Sequence, residues 1–433
     1  MDGQRRPVTA SAPSAAPTAA SAEASAAAPA TGALRSSRLS RLAAPLFIAV
    51  IVQSVANLLF HAVVGRALTP TEYGALGTVL AAMTLVAVPL SALQTASARA
   101  TATAGLSSAT ARKLVVRTTL YSAPVVLVVL ALSGPAAGFL HLDSTWDAAI
   151  LAPTLLVAAL IAVVRGLLLG VGRTGVVAGS YILSTVLRIG PGLALAAVAG
   201  VTGALLGTLL GELGALLLVT IAALRAPAGE VAHLSGGDYL RTGAVVTGLF
   251  LFTTVDLFLA RHFLPGAASG AYVAAATIGK TVLALPAAAI SIAYPKLVAG
   301  WADGKPRPAI KSSLLVVGVP AILAAAFVAL LPGLVLAVLY GSGTFPGAGA
   351  VTSVLAIVAG LSALVSVLVH AGMARNRWTM WLPWLGAVME VVVISMWHGS
   401  ETAIATASAA VGAVVLVMLL VFELPAWRTQ NQR

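Results

Sequence analysis

Six charged side chains lie inside long apolar stretches of the sequence. They are Arg165, Arg188, Glu212, Asp256, Lys280 and Glu390. A charge at the centre of a membrane helix costs about 2.5–3.5 kcal/mol on insertion scales, so it normally has a partner or faces water. A rise of about 1.5 Å per residue places four of them in two level pairs on consecutive helices. We therefore predict the intramembrane pairs Arg188–Glu212 and Asp256–Lys280.

Two interpretations of these pairs stay open at this point. The pairs either only determine how the helices pack, or they line a cavity and exchange partners with a substrate or a coupling ion. Arg165 is predicted near the cytoplasmic end of its helix, where a long side chain can reach the membrane surface. Glu390 has no obvious partner in the sequence.

A stripe of polar residues runs along the first apolar stretch. Gln53, Asn57 and His61 are each four residues apart, so they share one face of a helix, and Arg66 extends that face to the helix end. Interhelical hydrogen bonds, worth about 0.6–2 kcal/mol each, would also account for the stripe. We predict that it lines a cavity, because such a face avoids lipid.

The elements that must position these residues are membrane helices. Of the 433 residues, 59% are hydrophobic and 9% are charged, and the mean hydropathy is +1.01. About 20 apolar residues span a bilayer as a helix. We predict twelve such segments, numbered 1 to 12 in chain order: 43–65, 75–96, 114–133, 148–170, 176–198, 201–224, 242–264, 270–294, 311–331, 348–371, 378–397 and 402–423.

The basic residues predict the orientation. The net charge is +12, and twenty of the 25 Lys and Arg residues fall in the tails and in alternate loops if both termini are cytoplasmic. Arg66 and Arg261 alone fall on the outer side. This distribution follows the positive-inside rule. The positive charge therefore labels the cytoplasmic side of a multi-pass membrane protein, and we predict no nucleic-acid partner.

The composition also excludes several kinds of chemistry. The chain has no cysteine, which rules out disulfides, thiol catalysis and Cys metal sites. Residues 170–175 match the pattern G-x-G-x-x-G, but they join two membrane helices instead of following a strand. The hydrophilic loops are at most about 15 residues long, too short for a catalytic domain. We therefore predict no cofactor, no metal site and no enzymatic activity.

An internal repeat relates the two halves. Arg66 and Arg261 each end an apolar segment, and Pro70 and Pro265 follow each of them at the same distance of four residues. Segments 1 and 7 run in the same direction, so the halves are parallel repeats around an axis along the membrane normal. We predict an Ala/Ser/Pro-rich disordered cytoplasmic tail (1–33), a first lobe of six helices (34–225), a cytoplasmic linker (226–241) and a second lobe of six helices (242–433), with a central cavity.

The repeat-equivalent arginines suggest an anion site. Two guanidinium groups that face each other across a cleft between the lobes would bind a diphosphate through bidentate hydrogen bonds. Ordinary anchoring of Arg66 and Arg261 at the membrane interface is the alternative. Both interpretations place the two side chains at the outer ends of segments 1 and 7.

Several motifs resemble one known family. The polysaccharide-export flippases of the multidrug/oligosaccharidyl-lipid/polysaccharide (MOP) superfamily have similar residues at corresponding places. The resembling stretches are 57–61, 65–70, 72–76, 89–95, 170–173, 256–262 and 270–272. Segment 1 lacks an Asp or Glu, unlike that of the cation-coupled drug exporters of the superfamily. Twelve segments instead of fourteen also depart from the peptidoglycan-precursor branch.

The resemblance implies a protein of the bacterial inner membrane that moves polyprenyl-diphosphate-linked oligosaccharide from the inner to the outer leaflet by alternating access. It implies a lipid-linked oligosaccharide as substrate, membrane lipids around it, and a polysaccharide polymerase or glycosyltransferases as partners. In this hypothesis Arg66 and Arg261 neutralise the diphosphate, and Gln53, Asn57 and His61 bind sugar hydroxyls.

Two competing functions follow from the same residues. In a cation-coupled exporter of small molecules, Asp256, Lys280 and Glu390 would bind the coupling ion. A membrane-embedded glycosyltransferase or polymerase would need catalytic acids in a sizeable outer loop. The four predicted outer acids lie in short loops, which argues against this third function; they are Glu72, Asp143, Asp147 and Glu401.

Overall fold

The computed structural model describes residues 33–227, 237–279, 281, 297 and 306–428, and it describes side chains for 44–227, 241–279, 281, 297 and 308–423. The tail 1–32, most of the linker, Lys280 and most of segment 8 lie outside the described residues. In the described part, nine helices are long and apolar enough to cross a membrane. A bent pair of helices, Arg241–Phe252 and Val255–Phe263, makes a tenth.

The helices of the first lobe follow the predicted segments. Segments 1 to 4 correspond to helices Ala33–Ala67, Pro70–Ala104, Ser108–Ala131 and Leu151–Gly170. Segments 5 and 6 share the 51-residue stretch Thr174–Leu224, which is interrupted at Ala199 and at Gly200, with a φ of 54° at the glycine. A left-handed backbone at Gly200 lets the chain turn back without a longer loop.

The helices of the second lobe repeat this order. Segment 7 is the bent pair, and the helix 266–279 begins segment 8. Segments 9 to 12 correspond to Pro306–Ser313 with Leu314–Gly318 and Val319–Leu330, then Ala348–Ala374, Trp378–Trp381 with Leu382–Met396, and Glu401–Arg428. The described helices thus correspond to eleven of the twelve predicted segments and to the beginning of segment 8, and they form two lobes.

Each lobe also carries a short helix that the hydropathy pattern does not separate from its surroundings. The first short helix, Ser133–Phe139, follows segment 3, and the second short helix, Pro332–Tyr340, follows segment 9. The chain leaves both helices through a left-handed residue close to the end, at His141 with φ 48° and at Gly341 with φ 90°. Their matching places in the two lobes agree with the repeat.

Arg165 does not reach the membrane surface, contrary to the expectation from its position. Only 6% of the residue is exposed, and its Nε donates a hydrogen bond to Ser180 Oγ at 3.0 Å. The guanidinium lies 3.8 Å from the centre of the Tyr181 ring. A cation–π contact and a hydrogen bond keep this charge inside the first lobe.

Candidate functional site

Arg261 of the second lobe inserts into the first lobe on the predicted outer side. Its Nε donates to the carbonyl oxygen of Leu140 at 2.9 Å, and its Nη2 donates to that of His141 at 2.8 Å. Its Nη1 donates to the carbonyl of Thr71 at 3.3 Å and to Ser269 Oγ at 2.9 Å. Because Leu140 and His141 directly follow the first short helix, the guanidinium caps the negative end of that helix.

Arg66 makes the equivalent contact in the opposite direction. Its Nε donates to the carbonyl oxygen of Leu339 at 3.0 Å, and its Nη2 donates to that of Val338 at 2.7 Å. Both carbonyls belong to the last turn of the second short helix. Each repeat-related arginine therefore caps a short helix of the other lobe, and the pair clamps the lobes together on the outer side. We call these contacts the arginine clamp.

The lobes also touch at repeat-equivalent glycines. Gly74 of segment 2 and Gly270 of segment 8 pack backbone to backbone, so a Cβ atom at Gly74 would lie 3.0 Å from the Cα of Gly270. A Cβ atom at Gly270 would overlap the carbonyl of Pro70. One turn further along, Val273 packs over Gly77. Equivalent residues meet each other where a twofold axis passes between two repeats.

Buried aromatic side chains fill the interface between the lobes beside the arginine clamp; we call this interface the seam. Tyr73 OH lies 3.0 Å from His61 Nδ1 and 3.0 Å from Tyr340 OH, and Tyr340 OH donates to the carbonyl of Ala274 at 3.4 Å. Tyr73 and Tyr340 are fully buried, and Phe345 packs against both rings. The chain of hydroxyl groups connects segments 1 and 2 to the second short helix and to segment 8.

His262 adds a further contact that sequence reasoning missed. Its Nδ1 lies 2.8 Å from the carbonyl oxygen of Phe139, and its ring stacks on the Phe139 ring with 4.1 Å between centroids. Arg261 and His262 thus bind three consecutive carbonyls at the end of the first short helix. The sequence offered one signal, since His262 follows the repeat-equivalent arginine directly.

In the described part of the chain, contacts between the lobes close the interface on the side predicted to be outer. The predicted site residues Arg66 and Arg261 do not face each other across an open cleft, because each guanidinium is bound to backbone carbonyls. Neither makes an ion pair within 4.0 Å of a carboxylate in the described part of the chain. Their role in binding an anion stays a prediction for a state in which these contacts are released.

The polar stripe divides in the structure. His61 joins the outer hydroxyl chain, whereas Asn57 Oδ1 accepts a hydrogen bond of 2.8 Å from Nη1 of Arg188. Gln53 is partly exposed. The stripe therefore contacts the intramembrane charges of segment 5, a connection that the spacing within segment 1 does not reveal.

The predicted pair Arg188–Glu212 is not an ion pair in this structure. Arg188 donates a hydrogen bond to Asn57, and its guanidinium lies 4.2 Å from the ring centre of Phe60. Glu212 Oε1 accepts a hydrogen bond of 2.8 Å from Ser184 Oγ. The two charges are close enough to interact through space. Their equal depth in the bilayer predicted that Arg188 and Glu212 lie close together. It could not predict the directions of their side chains, because these depend on how segments 1, 5 and 6 pack.

A second group of charges is buried in the second lobe. Tyr272 OH donates to Asp256 Oδ2 at 2.7 Å, and Glu390 lies beside Asp256 and Ser408. Asp256 is 6% exposed and Glu390 is 1% exposed, and within the described residues Glu390 Oε2 has no hydrogen-bond partner. Two neighbouring carboxylates with hydroxyl groups form an acidic cluster that can hold a proton or a cation. The predicted pairing of Asp256 with Lys280 lies outside the described residues.

Comparisons with known proteins support the fold. No family model matches the chain, and no curated protein matches it. The solved structure of the lipid II flippase MurJ in an inward closed conformation is similar, with 12% identity, a TM-score of 0.68, and coverage of 87% of this chain and 86% of that chain.

Transporters of the multidrug resistance MATE family are similar as well. An inward-facing structure has 15% identity and a TM-score of 0.67, covering 88% of this chain and 96% of that one. An outward-facing structure has 16% identity and a TM-score of 0.62, covering 97% and 100%. These neighbours are transporters and a flippase, not enzymes. The chain has the two-lobe, twelve-helix fold of transporters of the MOP superfamily.

Proposed function

We propose that this protein is a flippase that moves polyprenyl-diphosphate-linked oligosaccharide from the inner to the outer leaflet by alternating access. The observation that carries the proposal is the arginine clamp. Two repeat-related guanidinium groups lie at the outer end of the seam between the lobes, and neutral oxygens are their hydrogen-bond acceptors. A diphosphate binds guanidinium more strongly than a carbonyl does, because charge-assisted bonds are about twice as strong.

The clamp also explains how the outer side opens. Arrival of a diphosphate at the seam gives Arg66 and Arg261 a stronger partner, so they leave the short helices and the lobes separate. The membrane potential supports export of an anion from a negative interior by about 2.3 kcal/mol per charge per 100 mV. The lipid tail stays in the bilayer, in the gap between the lobes. Similarity to a lipid II flippase is consistent with a lipid-linked substrate.

The test uses purified protein in vesicles that contain a polyprenyl-diphosphate-linked disaccharide with a fluorescent sugar. A membrane-impermeant reductant bleaches the label in the outer leaflet, so transport appears as additional bleaching. We expect wild-type transport, and a reduction of at least tenfold in the double variant Arg66→Ala/Arg261→Ala. Arg173→Ala is the control, because Arg173 also donates to a carbonyl, that of Ala222, but within one lobe. Full transport by the double variant would show that the two arginines do not bind the diphosphate during transport.

A second candidate function, export of small molecules coupled to a cation, is favoured by the acidic cluster of Asp256, Tyr272, Glu390 and Ser408. The same vesicles loaded with an organic-cation dye distinguish the two functions. Dye efflux that depends on a sodium or pH gradient, without movement of the lipid-linked disaccharide, supports the exporter and excludes the flippase.

A further inference from the structure

A shallow groove with a volume of about 460 Å³ lies at the start of segment 3, on the side predicted to be cytoplasmic. One face of the helix Ser108–Ala131 supplies its lining, which consists of Ser108, Ala109, Arg112, Lys113, Val116 and Arg117. The three basic side chains are exposed, and no acidic side chain lines the groove. Among the described residues the lining of the groove is therefore strongly positive.

These three cations have no partner in the described part of the chain. Arg112, Lys113 and Arg117 make neither a hydrogen bond nor an ion pair there. Other basic residues on this side do have partners. Arg173 donates to the carbonyl of Ala222 at 2.9 Å, and Arg377 lies 3.5 Å from Glu423. Three clustered positive charges repel each other, so a bound anion would stabilise the groove.

The depth of the groove matches the phosphate layer of a membrane. The helix has 24 residues, about 36 Å in length, whereas the hydrocarbon core is about 30 Å thick. Because the predicted apolar segment 114–133 begins after the first turn, we expect this end of the helix to lie at the interface. Directly beyond the cations the helix exposes large apolar side chains, with Leu120, Tyr121 and Leu127 between 64% and 74% exposed. Positive charge at headgroup depth thus continues into a surface that suits acyl chains.

Segment 3 lies at the periphery of its lobe. In the described residues it packs on segments 4, 5 and 6 and on the first short helix, all in the first lobe. A lipid in this groove would therefore remain outside the seam between the lobes, away from the arginine clamp. This placement favours a structural membrane lipid over the transported molecule.

We propose that the groove binds the headgroup phosphate of an anionic phospholipid, with the acyl chains lying along the exposed apolar face of segment 3. Guanidinium groups bind phosphate oxygens in bidentate geometry. Each basic residue near an anionic membrane surface contributes about 1 kcal/mol, or roughly a fivefold change in affinity. The proposal is independent of the transported substrate.

The test measures lipid retention by native mass spectrometry of the full chain in detergent, titrated with phosphatidylglycerol or phosphatidylcholine. We expect the wild type to prefer phosphatidylglycerol, and Arg112→Gln/Arg117→Gln to bind it about 30-fold more weakly. The control is Lys311→Gln, which also removes an exposed basic residue from the predicted cytoplasmic side, but in the second lobe. The control should keep wild-type affinity.

Further variants and conditions distinguish specific phosphate binding from nonspecific charge attraction. Arg112→Lys/Arg117→Lys retains the charge, so it should retain most of the phosphatidylglycerol affinity. Wild-type binding should weaken as salt rises, a readout that needs no variant. Equal losses in the groove variant and the control would show nonspecific charge attraction and overturn the proposal. Displacement of phosphatidylglycerol from the groove by a polyprenyl diphosphate, but not by phosphatidylcholine, would also overturn it, because the groove would then serve the transported lipid.

Discussion

Gly74 and Gly270 stand 196 positions apart in the sequence and touch each other through their backbones in the structure. They occupy equivalent places in the two repeats, at the outer halves of segments 2 and 8. No side chain larger than hydrogen fits between them, because a Cβ atom at Gly270 would overlap the carbonyl of Pro70. This contact brings the lobes close enough for the arginine clamp to form, and the predictions below test what keeps the outer side closed.

Gly270→Ala should favour the open outer side, since the added methyl group separates the lobes. The reporter is Val273→Cys, because Val273 is fully buried over Gly77 and the chain has no native cysteine. We expect a membrane-impermeant thiol reagent to react with this cysteine at least tenfold faster in the Gly270→Ala background. Gly349→Ala is the control, because nothing lies within 4 Å of a Cβ atom there. Unchanged reactivity would show that the lobes close without this contact.

Arg261→Gln should open the outer side more than Arg66→Gln does. Arg261 is 3% exposed and makes three hydrogen bonds to the first lobe, whereas Arg66 is exposed and makes two to the second lobe. A hydrogen bond to a charged group contributes about 1.5–3 kcal/mol. The same Val273→Cys reporter should therefore react fastest in the double variant.

Two further variants test whether the charge or the planar geometry of Arg261 keeps the outer side closed. Arg261→Lys retains the charge but cannot bind several carbonyls with one planar group, so it should open the outer side partly. Arg173→Gln loses a carbonyl contact within the first lobe and should leave the reactivity of the Val273→Cys reporter unchanged. If the Lys variant were as closed as the wild type, charge rather than geometry would close the clamp.

Tyr340→Phe and Tyr73→Phe should each lower the stability of the closed state by about 1–2 kcal/mol, because each removes two hydroxyl contacts. The measurement is thermal unfolding in detergent. The double variant should lose less than the sum of the two single variants, since both remove the shared hydrogen bond. Tyr121→Phe, at a residue 74% exposed, serves as the control. Strict additivity would contradict the direct Tyr73–Tyr340 bond.

Glu390→Gln should remove any dependence of transport on a sodium or pH gradient. The side chain is buried beside Asp256, and neutralising it leaves the acidic cluster with one carboxylate. We expect transport driven by substrate concentration alone to persist at a reduced rate. Glu401→Gln removes a partly exposed acid from the predicted outer loop that follows segment 11, and it should retain the dependence. A Glu390→Gln protein with unchanged ion dependence would exclude the cluster as the coupling site.

Much of the fold was predictable because lipid imposes simple rules. The apolar stretches and the parallel repeat follow from hydropathy and from the spacing of Arg66 and Arg261. The orientation, inferred from the basic loops, stays a prediction. The break at Ala199 and Gly200 falls in the two-residue gap between predicted segments 5 and 6. The short helices were not predictable, since an apolar run contains no signal that distinguishes a short interfacial helix from the end of a spanning helix.

The sequence identified the residues of the candidate site by their type, but it did not predict which groups they contact. Arg66 and Arg261 stand out in the sequence as the two predicted outer cations, and the sequence alone leaves open whether they share an anion or anchor the helices at the membrane interface. The structure instead places each one on carbonyls of the opposite lobe. Helix ends expose unsatisfied carbonyls that any nearby guanidinium can bind, and which end is nearby depends on how two lobes pack.

The sequence by itself therefore determined the membrane environment, the number of segments, the repeat and the small set of charges that need an explanation. Tertiary structure alone decided the partners of those charges. Arg188 contacts Asn57 rather than forming an ion pair with Glu212, and Glu390 lies beside Asp256, from which it is separated by 134 positions. Depth in the bilayer is a property of one helix and can be counted along the chain, whereas a contact depends on the rotation and separation of two helices that pack together.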